Sequence, residues 1–126
     1  MALYAIGDTH LSLSAGKPMD VFGGRWDGYV EKLREGFHAT VSPEDTVVIC
    51  GDISWGMSLE GAREDFAFLN ALPGGRKLLL KGNHDYWWMT AAKMKKFFLE
   101  NGFDTLDLLH NNCHFYGETA LCGTRG

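Results

Sequence analysis

The stretch Leu78-Leu79-Leu80-Lys81-Gly82-Asn83-His84-Asp85 carries a short apolar run directly into a glycine and three polar side chains. Two earlier stretches have the same form, Leu3-Tyr4-Ala5-Ile6 before Gly7-Asp8 and Thr46-Val47-Val48-Ile49-Cys50 before Gly51-Asp52. Short, nearly continuous apolar runs are typical of strands buried on both faces, as in a parallel sheet that helices cover. The sequence therefore predicts three such strands, each ending at a glycine that precedes a polar residue.

Helical periodicity fills the segments around these predicted strands. Three segments carry apolar residues at the spacing of one helix face. The positions are Val30, Leu33 and Phe37 in the first segment, Leu59, Ala62, Phe66 and Leu69 in the second, and Trp87, Ala91, Met94 and Phe98 in the third. We expect the first helix over residues 27–38. The alternation of strand and helix predicts an α/β fold.

The pattern changes in the last part of the sequence. Short apolar runs between residues 106 and 122 are separated by Asn111-Asn112 and by Gly117. Such runs predict antiparallel strands with turns rather than another strand-helix unit. His110 and His114 flank the asparagine turn, so we expect both on a peripheral hairpin.

Size and composition exclude several classes of protein. A chain of 126 residues, 45% of them hydrophobic, predicts one domain over residues 1–126. The formal net charge of −4 disfavours bulk binding of nucleic acid. No apolar run approaches the roughly 18 residues of a membrane helix, and no signal-peptide pattern opens the sequence, so we expect a soluble, cytoplasmic protein.

The cysteines are few and lack the spacing of a metal site. Cys50, Cys113 and Cys122 form an odd set without a CxxC pair. Such a set argues against a disulfide framework and against a thiolate zinc site. We expect all three to be small, buried apolar side chains.

Potential metal ligands follow each of the three predicted strands. Asp8 and His10 follow the first, Asp52 the second and Asn83 the third. The carboxyl ends of parallel strands meet at one edge of the sheet, where ligands bind. Taken singly, each motif is also typical of a turn or of a solvated surface pair. Their ordered recurrence favours a mixed nitrogen and oxygen site for Mn, Fe, Zn or Ni.

The motifs D-x-H, G-D and G-N-H-D, in this order, resemble the signature of the calcineurin-like metallophosphoesterases. The segments around them, among them Gly51-Asp52-Ile53-Ser54-Trp55, resemble a bacterial subgroup of predicted phosphohydrolases. The resemblance implies a four-layer α-β-β-α sandwich. It also places the sequence in the N-terminal half of that sandwich, because the family's later histidine motifs do not occur within residues 1–126.

The resemblance also implies roles for individual residues. Asp8 and His10 would bind a first divalent transition metal, Asp52 would bridge two metals, and Asn83 would bind the second. A hydroxide between the metals would attack phosphorus in line, and His84 would protonate the leaving oxygen. We expect the first metal site to be the better occupied of the two.

Other residues near the motifs have less definite roles. Asp85 is either a support for neighbouring groups or a solvated turn residue. Trp55 and Tyr86 are candidates for the rim of a pocket. Trp55 also occupies the position of an aspartate found in protein serine/threonine phosphatases, which disfavours that subclass. Arg25 is either a phosphate-steering cation or a solvated loop charge.

Three functions are compatible with these patterns. The first is a metal-dependent phosphoester hydrolase acting on a phosphorylated small molecule. The second is a shortened or degenerate domain that binds metal or a phosphorylated ligand without turnover, and the third is a plain α/β interaction module. Half of a two-sheet sandwich would leave an apolar sheet face uncovered, which favours self-association.

Overall fold

Strands and helices alternate along the part of the chain described by the computed structural model, residues 1–13 and 28–124. Their bounds are β1 (Leu3–Ile6), α1 (Tyr29–Thr40), β2 (Thr46–Ile49), α2 (Arg63–Ala71), β3 (Arg76–Leu79), α3 (Ala91–Glu100), β4 (Leu106–Leu108), β5 (Asn112–Tyr116) and β6 (Thr119–Gly123). The α/β fold class predicted from the sequence is confirmed.

The first four strands form one parallel sheet in the order β1-β2-β3-β4. Each helix leads from one strand to the next in the same direction, so right-handed crossovers place all three helices on one face. The β5 and β6 strands form a separate antiparallel hairpin. Within the described ranges, every helix is too short or too polar to cross a bilayer.

The apolar core lies between this helix-covered face and the helices. Val47, Ile49 and Leu79 alternate along β2 and β3 and point into the core with buried side chains from each helix. Phe66 of α2 is fully buried, and its ring centroid lies 4.9 Å from that of Trp87. Burial of these aromatic rings supplies much of the apolar area that holds the helices on the sheet.

The helix predictions were right in number and shifted in their bounds. The first helix begins at Tyr29 and ends at Thr40, so both ends lie two residues later in the chain than expected. The third begins at Ala91 because the Thr90 hydroxyl accepts a hydrogen bond from the Lys93 backbone N–H, which is an N-cap. Trp87 is therefore a buried core residue that lies before the helix rather than within it.

One strand prediction was wrong. Leu106–Leu108 was expected among antiparallel strands, but it pairs in parallel with β3 as the fourth strand of the sheet. The segment between β3 and β4 is thus a third strand-helix-strand unit. The antiparallel hairpin expected after it is present as β5 and β6, and His114 lies on it.

The cysteine prediction was also wrong. Cys113 and Cys122 face each other across the β5–β6 hairpin, with their Cα atoms 4.4 Å apart, and form a disulfide. The third cysteine, Cys50, is exposed rather than buried. The pairing depends on the hairpin register, which cysteine spacing along the sequence does not specify.

The second face of the sheet is covered unevenly. On β1, Leu3 is 38% exposed and Ala5 is also exposed. Near β3 and β4 the hairpin covers this face, because a Cβ on Gly123 would meet the side chains of Leu80 and Leu109. The expectation of burial on both faces therefore holds for the middle of the sheet and fails for β1.

Candidate metal centre

The loops that follow β1 and β2 run side by side at the carboxyl edge of the sheet. Three backbone hydrogen bonds join them: Asp8 N–H to the Gly51 carbonyl at 3.1 Å, His10 N–H to Asp52 at 2.9 Å, and Leu11 N–H to Ile53 at 2.8 Å. The Thr9 hydroxyl also donates to the Ile53 carbonyl, at 2.9 Å. This ladder fixes Asp8 and His10 next to Asp52.

Asp8, His10 and Asp52 form a group with the geometry of a metal site. One potential ligand atom from each lies within 4.8 Å of the other two. His10 Nε2 is 3.8 Å from Asp8 Oδ1 and 3.9 Å from Asp52 Oδ2. A transition metal with bonds of about 2.1 Å allows its ligand atoms to be up to about 4.2 Å apart. The two distances from His10 Nε2 are within this limit, so the three side chains form a candidate site for a divalent cation.

The backbone of these three residues is strained. Asp8, His10 and Asp52 have φ angles of 56°, 43° and 49°, in the left-handed region that side-chain-bearing residues rarely adopt. Neither Asp8 nor His10 is extended, yet their side chains converge, with His10 Nε2 3.8 Å from Asp8 Oδ1. Strain of this kind concentrates at functional sites, where surrounding contacts enforce it.

Glycine is required where the loop that follows β2 meets the loop that follows β3. Gly51 has a φ of 94°, and a Cβ on it would lie 2.8 Å from the Gly82 nitrogen. A Cβ on Gly82 would overlap the backbone nitrogen and Oδ1 of Asp52. The two glycines therefore bring the loop that carries Asn83 and His84 against Asp52.

Asn83 lies directly against the Asp52 carboxylate. One terminal atom of its exposed amide is 3.2 Å from each of the two carboxylate oxygens. With nitrogen in that place, the amide donates to Asp52; with oxygen there, three oxygen atoms converge as ligands of one cation. Asn83 therefore lies beside Asp52 at the candidate centre.

His84 contacts Asp52 through both its backbone and its ring. Its N–H donates to Asp52 Oδ1 at 2.9 Å, and its Nδ1 lies 3.0 Å from Oδ2. Partial burial raises the pKa of Asp52, but the His84 hydrogen bonds and the nearby His84 and His10 rings outweigh it, so that the pKa is below its usual value. Asp52 therefore favours the anionic form that binds cations.

Two aromatic residues border the centre. The Trp55 ring stacks on His10 at 5.2 Å between centroids and lies 5.1 Å from His84. Tyr86 is 55% exposed and lies edge-on to His84 at 6.2 Å. Both rings lie beside candidate site residues, and their place at a pocket rim stays a prediction. Arg25, the other candidate from the sequence, lies outside the described residues.

Asp85 is not a solvated turn residue, because only 1% of it is exposed. Its Oδ1 accepts hydrogen bonds from the N–H groups of Ile53, Ser54 and the Trp87 indole, and its Oδ2 accepts one from Gly82. Burial raises the pKa of Asp85, while these four donors oppose that shift by favouring the ionised form. Of the two readings left open by the sequence, the supporting role is the one that fits.

Sequence reasoning missed a second buried carboxylate, Asp65 of α2. It accepts hydrogen bonds from the Ser54 hydroxyl and from the Leu13 N–H, and is fully buried. It therefore fastens the loops after β1 and β2 to α2. Its position in the sequence was a signal of burial, because Asp65 lies four residues before Leu69 and therefore on the apolar face of the predicted helix.

Other histidines make contacts of their own outside this group. His114 Nε2 lies 2.8 Å from the Leu108 carbonyl, and the His110 ring packs against Trp88 at 5.3 Å. His38 Nδ1 lies 2.9 Å from the Arg34 carbonyl within α1. His114 lies on the β5–β6 hairpin as expected, whereas His110 precedes β5.

The family model of the calcineurin-like phosphoesterases matches residues 1–123 of the 126-residue chain. The chain belongs to this family. The chain also resembles a crystal structure of a protein of unknown function from Aquifex aeolicus, with 23% identity and a TM-score of 0.57. That likeness concerns the fold alone. Among curated proteins, none matches the chain.

The chain spans little more than half of this structural relative. The alignment covers 95% of the chain and 58% of the Aquifex protein. The family resemblance predicted from D-x-H, G-D and G-N-H-D is confirmed. The family is one of metal-dependent phosphoester hydrolases, and the group of Asp8, His10 and Asp52 is a candidate metal site in this chain.

Proposed function

We propose that this phosphoesterase hydrolyses phosphoesters of small molecules at a centre of two divalent metals. The observation that carries the proposal is the convergence of Asp8, His10 and Asp52 on one point, each with a backbone φ between 43° and 56°. The left-handed backbone of each such residue costs folding free energy on the order of 1 kcal/mol, which other contacts must offset. A metal site gives this strained arrangement a function.

Five side chains carry the proposed chemistry. Asp8, His10 and Asp52 would hold the first metal, and Asp52 with Asn83 would hold the second. Divalent metals of the Mn, Fe, Zn or Ni type held by these residues would supply an activated hydroxide for in-line attack on phosphorus. His84 completes the set as the general acid.

The position of His84 supports this last role. Its Nδ1 contacts Asp52, 3.0 Å away, so that Nε2 is the nitrogen left to give a proton to the leaving oxygen. The ring is held between Asp52 and Trp55 and is still 37% exposed. A substrate phosphate can therefore reach it from solvent.

The proposed substrate is a phosphorylated small molecule. A cavity of about 330 Å³ adjoins Asp8, and its lining includes Tyr29 and Lys32 of α1. A cavity of this size accepts a small organic group, and the Lys32 ammonium would favour an anionic one. No large basic surface is needed for such a substrate.

We keep binding without turnover as a second candidate function. Within the described residues, the proposed second metal has two candidate ligands, Asp52 and Asn83. Two oxygen ligands bind a divalent cation weakly. A domain that holds one metal and a phosphorylated ligand would therefore also account for the geometry.

The test is hydrolysis of p-nitrophenyl phosphate and its bis ester, with Mn²⁺ added and with chelator. We expect hydrolysis that requires Mn²⁺, and a His84→Gln variant that binds Mn²⁺ normally yet hydrolyses about 10²- to 10⁴-fold more slowly. His38→Gln, on α1 and exposed, is the matched control and should be fully active. Mn²⁺ bound by the native chain without hydrolysis of either ester would favour the second candidate.

We also propose that the chain self-associates through the open part of the second sheet face. Leu3 is 38% exposed there, and an apolar patch of this kind is stabilised by contact with a second copy. Light scattering should show a concentration-dependent dimer, and Leu3→Lys should shift it to monomer. Leu99→Lys, at an 82% exposed leucine on α3, is the control. A native chain that is monomeric at all concentrations would contradict the proposal.

A cytoplasmic location stays a prediction of the sequence. In that compartment the glutathione pool would keep Cys113 and Cys122 as thiols, whereas an oxidising compartment would preserve the disulfide. The hairpin register brings the two cysteines together in either state.

A further inference from the structure

The Asp85 carboxylate joins the two loops that follow β2 and β3 and carry the candidate ligands Asp52 and Asn83. We name residues 50–56 the Asp52 loop and residues 80–85 the Asn83 loop. Asp85 Oδ1 accepts hydrogen bonds from the Asp52 loop, at 2.7 Å from Ile53 N–H and 3.3 Å from Ser54 N–H. Its Oδ2 accepts one from Gly82 N–H of its own loop, at 2.8 Å.

These donors immediately adjoin the ligands. Ile53 follows Asp52, and Gly82 precedes Asn83. A single rigid carboxylate thus fixes the backbone next to two ligands that would share one cation. The Trp87 indole donates to the same Oδ1 at 3.0 Å and ties the carboxylate to the aromatic core.

On the basis of the proposed function, we propose that Asp85 is the positioning residue that sets the spacing of Asp52 and Asn83, and thereby the metal affinity of the centre. It touches neither substrate nor metal. It acts through the backbone of the two loops, as supporting hydrogen bonds act on metal ligands in general.

Asp85→Asn tests this role with almost no change in volume. The amide offers one acceptor oxygen, so its NH₂ group must face an N–H donor. Keeping oxygen at the Oδ1 position preserves the bonds to Ile53, Ser54 and Trp87, and sets NH₂ against Gly82 N–H. The contact that joins the two loops is then lost.

The matched control is Asp45→Asn. Asp45 is 4% exposed and likewise accepts one backbone N–H on each oxygen, from Ala2 at 2.7 Å and from Ser42 at 2.8 Å. It lies at the amino end of β2, opposite the centre. Both variants should unfold at lower denaturant concentration, but only Asp85→Asn should change metal binding.

The measurement is Mn²⁺ affinity by titration calorimetry on the three folded chains. We expect Asp85→Asn to raise the Mn²⁺ Kd about 10- to 100-fold, and Asp45→Asn to leave it at the native value. Equal Mn²⁺ affinity in the two variants would overturn the positioning role. The two proposals can fail separately. If the native chain binds Mn²⁺ tightly, Asp85→Asn weakens that binding and the native chain hydrolyses no ester, only the proposed function is overturned.

Amide hydrogen exchange of the native chain decides the question if Asp85→Asn fails to fold. Zn²⁺ should slow exchange at Ile53 and Gly82 by the same factor, because one carboxylate holds both amides. The amides of Ala2 and Ser42, which donate to Asp45, should not respond. Slowing at only one of Ile53 and Gly82 would overturn the coupling between the loops.

Discussion

Asp52→Asn is expected to abolish metal binding and hydrolysis together. The Asp52 carboxylate lies at the centre of the site, with Oδ2 3.9 Å from His10 Nε2 and both oxygens 3.2 Å from the Asn83 amide. The substitution removes the negative charge and turns one ligand oxygen into an NH₂ donor. Both metals would lose the ligand that they share.

The loss should exceed the roughly 10²- to 10⁴-fold effect of removing a general acid such as His84. Asparagine tolerates the φ of 49° at this position, so the backbone should keep its shape. Circular dichroism and denaturant unfolding would show an intact fold, while elemental analysis would show metal lost from the purified chain.

Asp104→Asn is the control for the change of charge. Asp104 is exposed and lies just before β4, at the amino edge of the sheet. The Asp104→Asn variant should retain native metal content and activity. A folded Asp52→Asn chain with native Mn²⁺ stoichiometry would contradict the assignment of Asp52 as the shared ligand.

The strands that carry the ligands were predictable from the sequence because each ends in a local signal. An apolar run followed by glycine and a polar residue marks both where a buried strand stops and where its functional side chain begins. Asp8, Asp52 and Asn83 could therefore be assigned to one sheet edge without knowledge of the contacts. The family resemblance rested on the same residues.

Tertiary pairing decided the features that the sequence left open or predicted wrongly. β4 has only three residues, and its place in the sheet depends on hydrogen bonds to β3, some 30 positions earlier in the chain. The burial of Asp85 depends on donors from Ile53 and Ser54, which are equally distant in sequence. The register that pairs Cys113 with Cys122 is set by the hairpin as a whole.

The left-handed backbone at His10 could not be assigned from the sequence either, because only a few per cent of non-glycine residues adopt that conformation. It is enforced by the ladder to the Asp52 loop, in which His10 N–H donates to the Asp52 carbonyl at 2.9 Å. By contrast, the glycines that permit the close approach of the loops, Gly51 and Gly82, could be recognised in the sequence.

Gly82→Ala is expected to displace Asp52 and to destabilise the fold at the same time. The new Cβ would overlap the Asp52 backbone nitrogen and Oδ1, neither of which can move alone. Both belong to a loop that is hydrogen-bonded to Asp8, His10 and Leu11 through its carbonyls. Overpacking of this kind typically costs about 1–3 kcal/mol and occasionally more, and we expect the upper end of that range.

Gly36→Ala is the matched control for Gly82→Ala. Gly36 lies on the exposed side of α1 with open space around its Cα, so alanine should raise the free energy of unfolding by up to about 1 kcal/mol. Urea unfolding of both variants, followed by Mn²⁺ titration below the unfolding transition, separates stability from ligand placement. Because the clash falls on Asp52 itself, Gly82→Ala should bind Mn²⁺ far more weakly even when fully folded. Native Mn²⁺ affinity in that folded variant would show that the loops have more freedom than their contact with Asp52 implies.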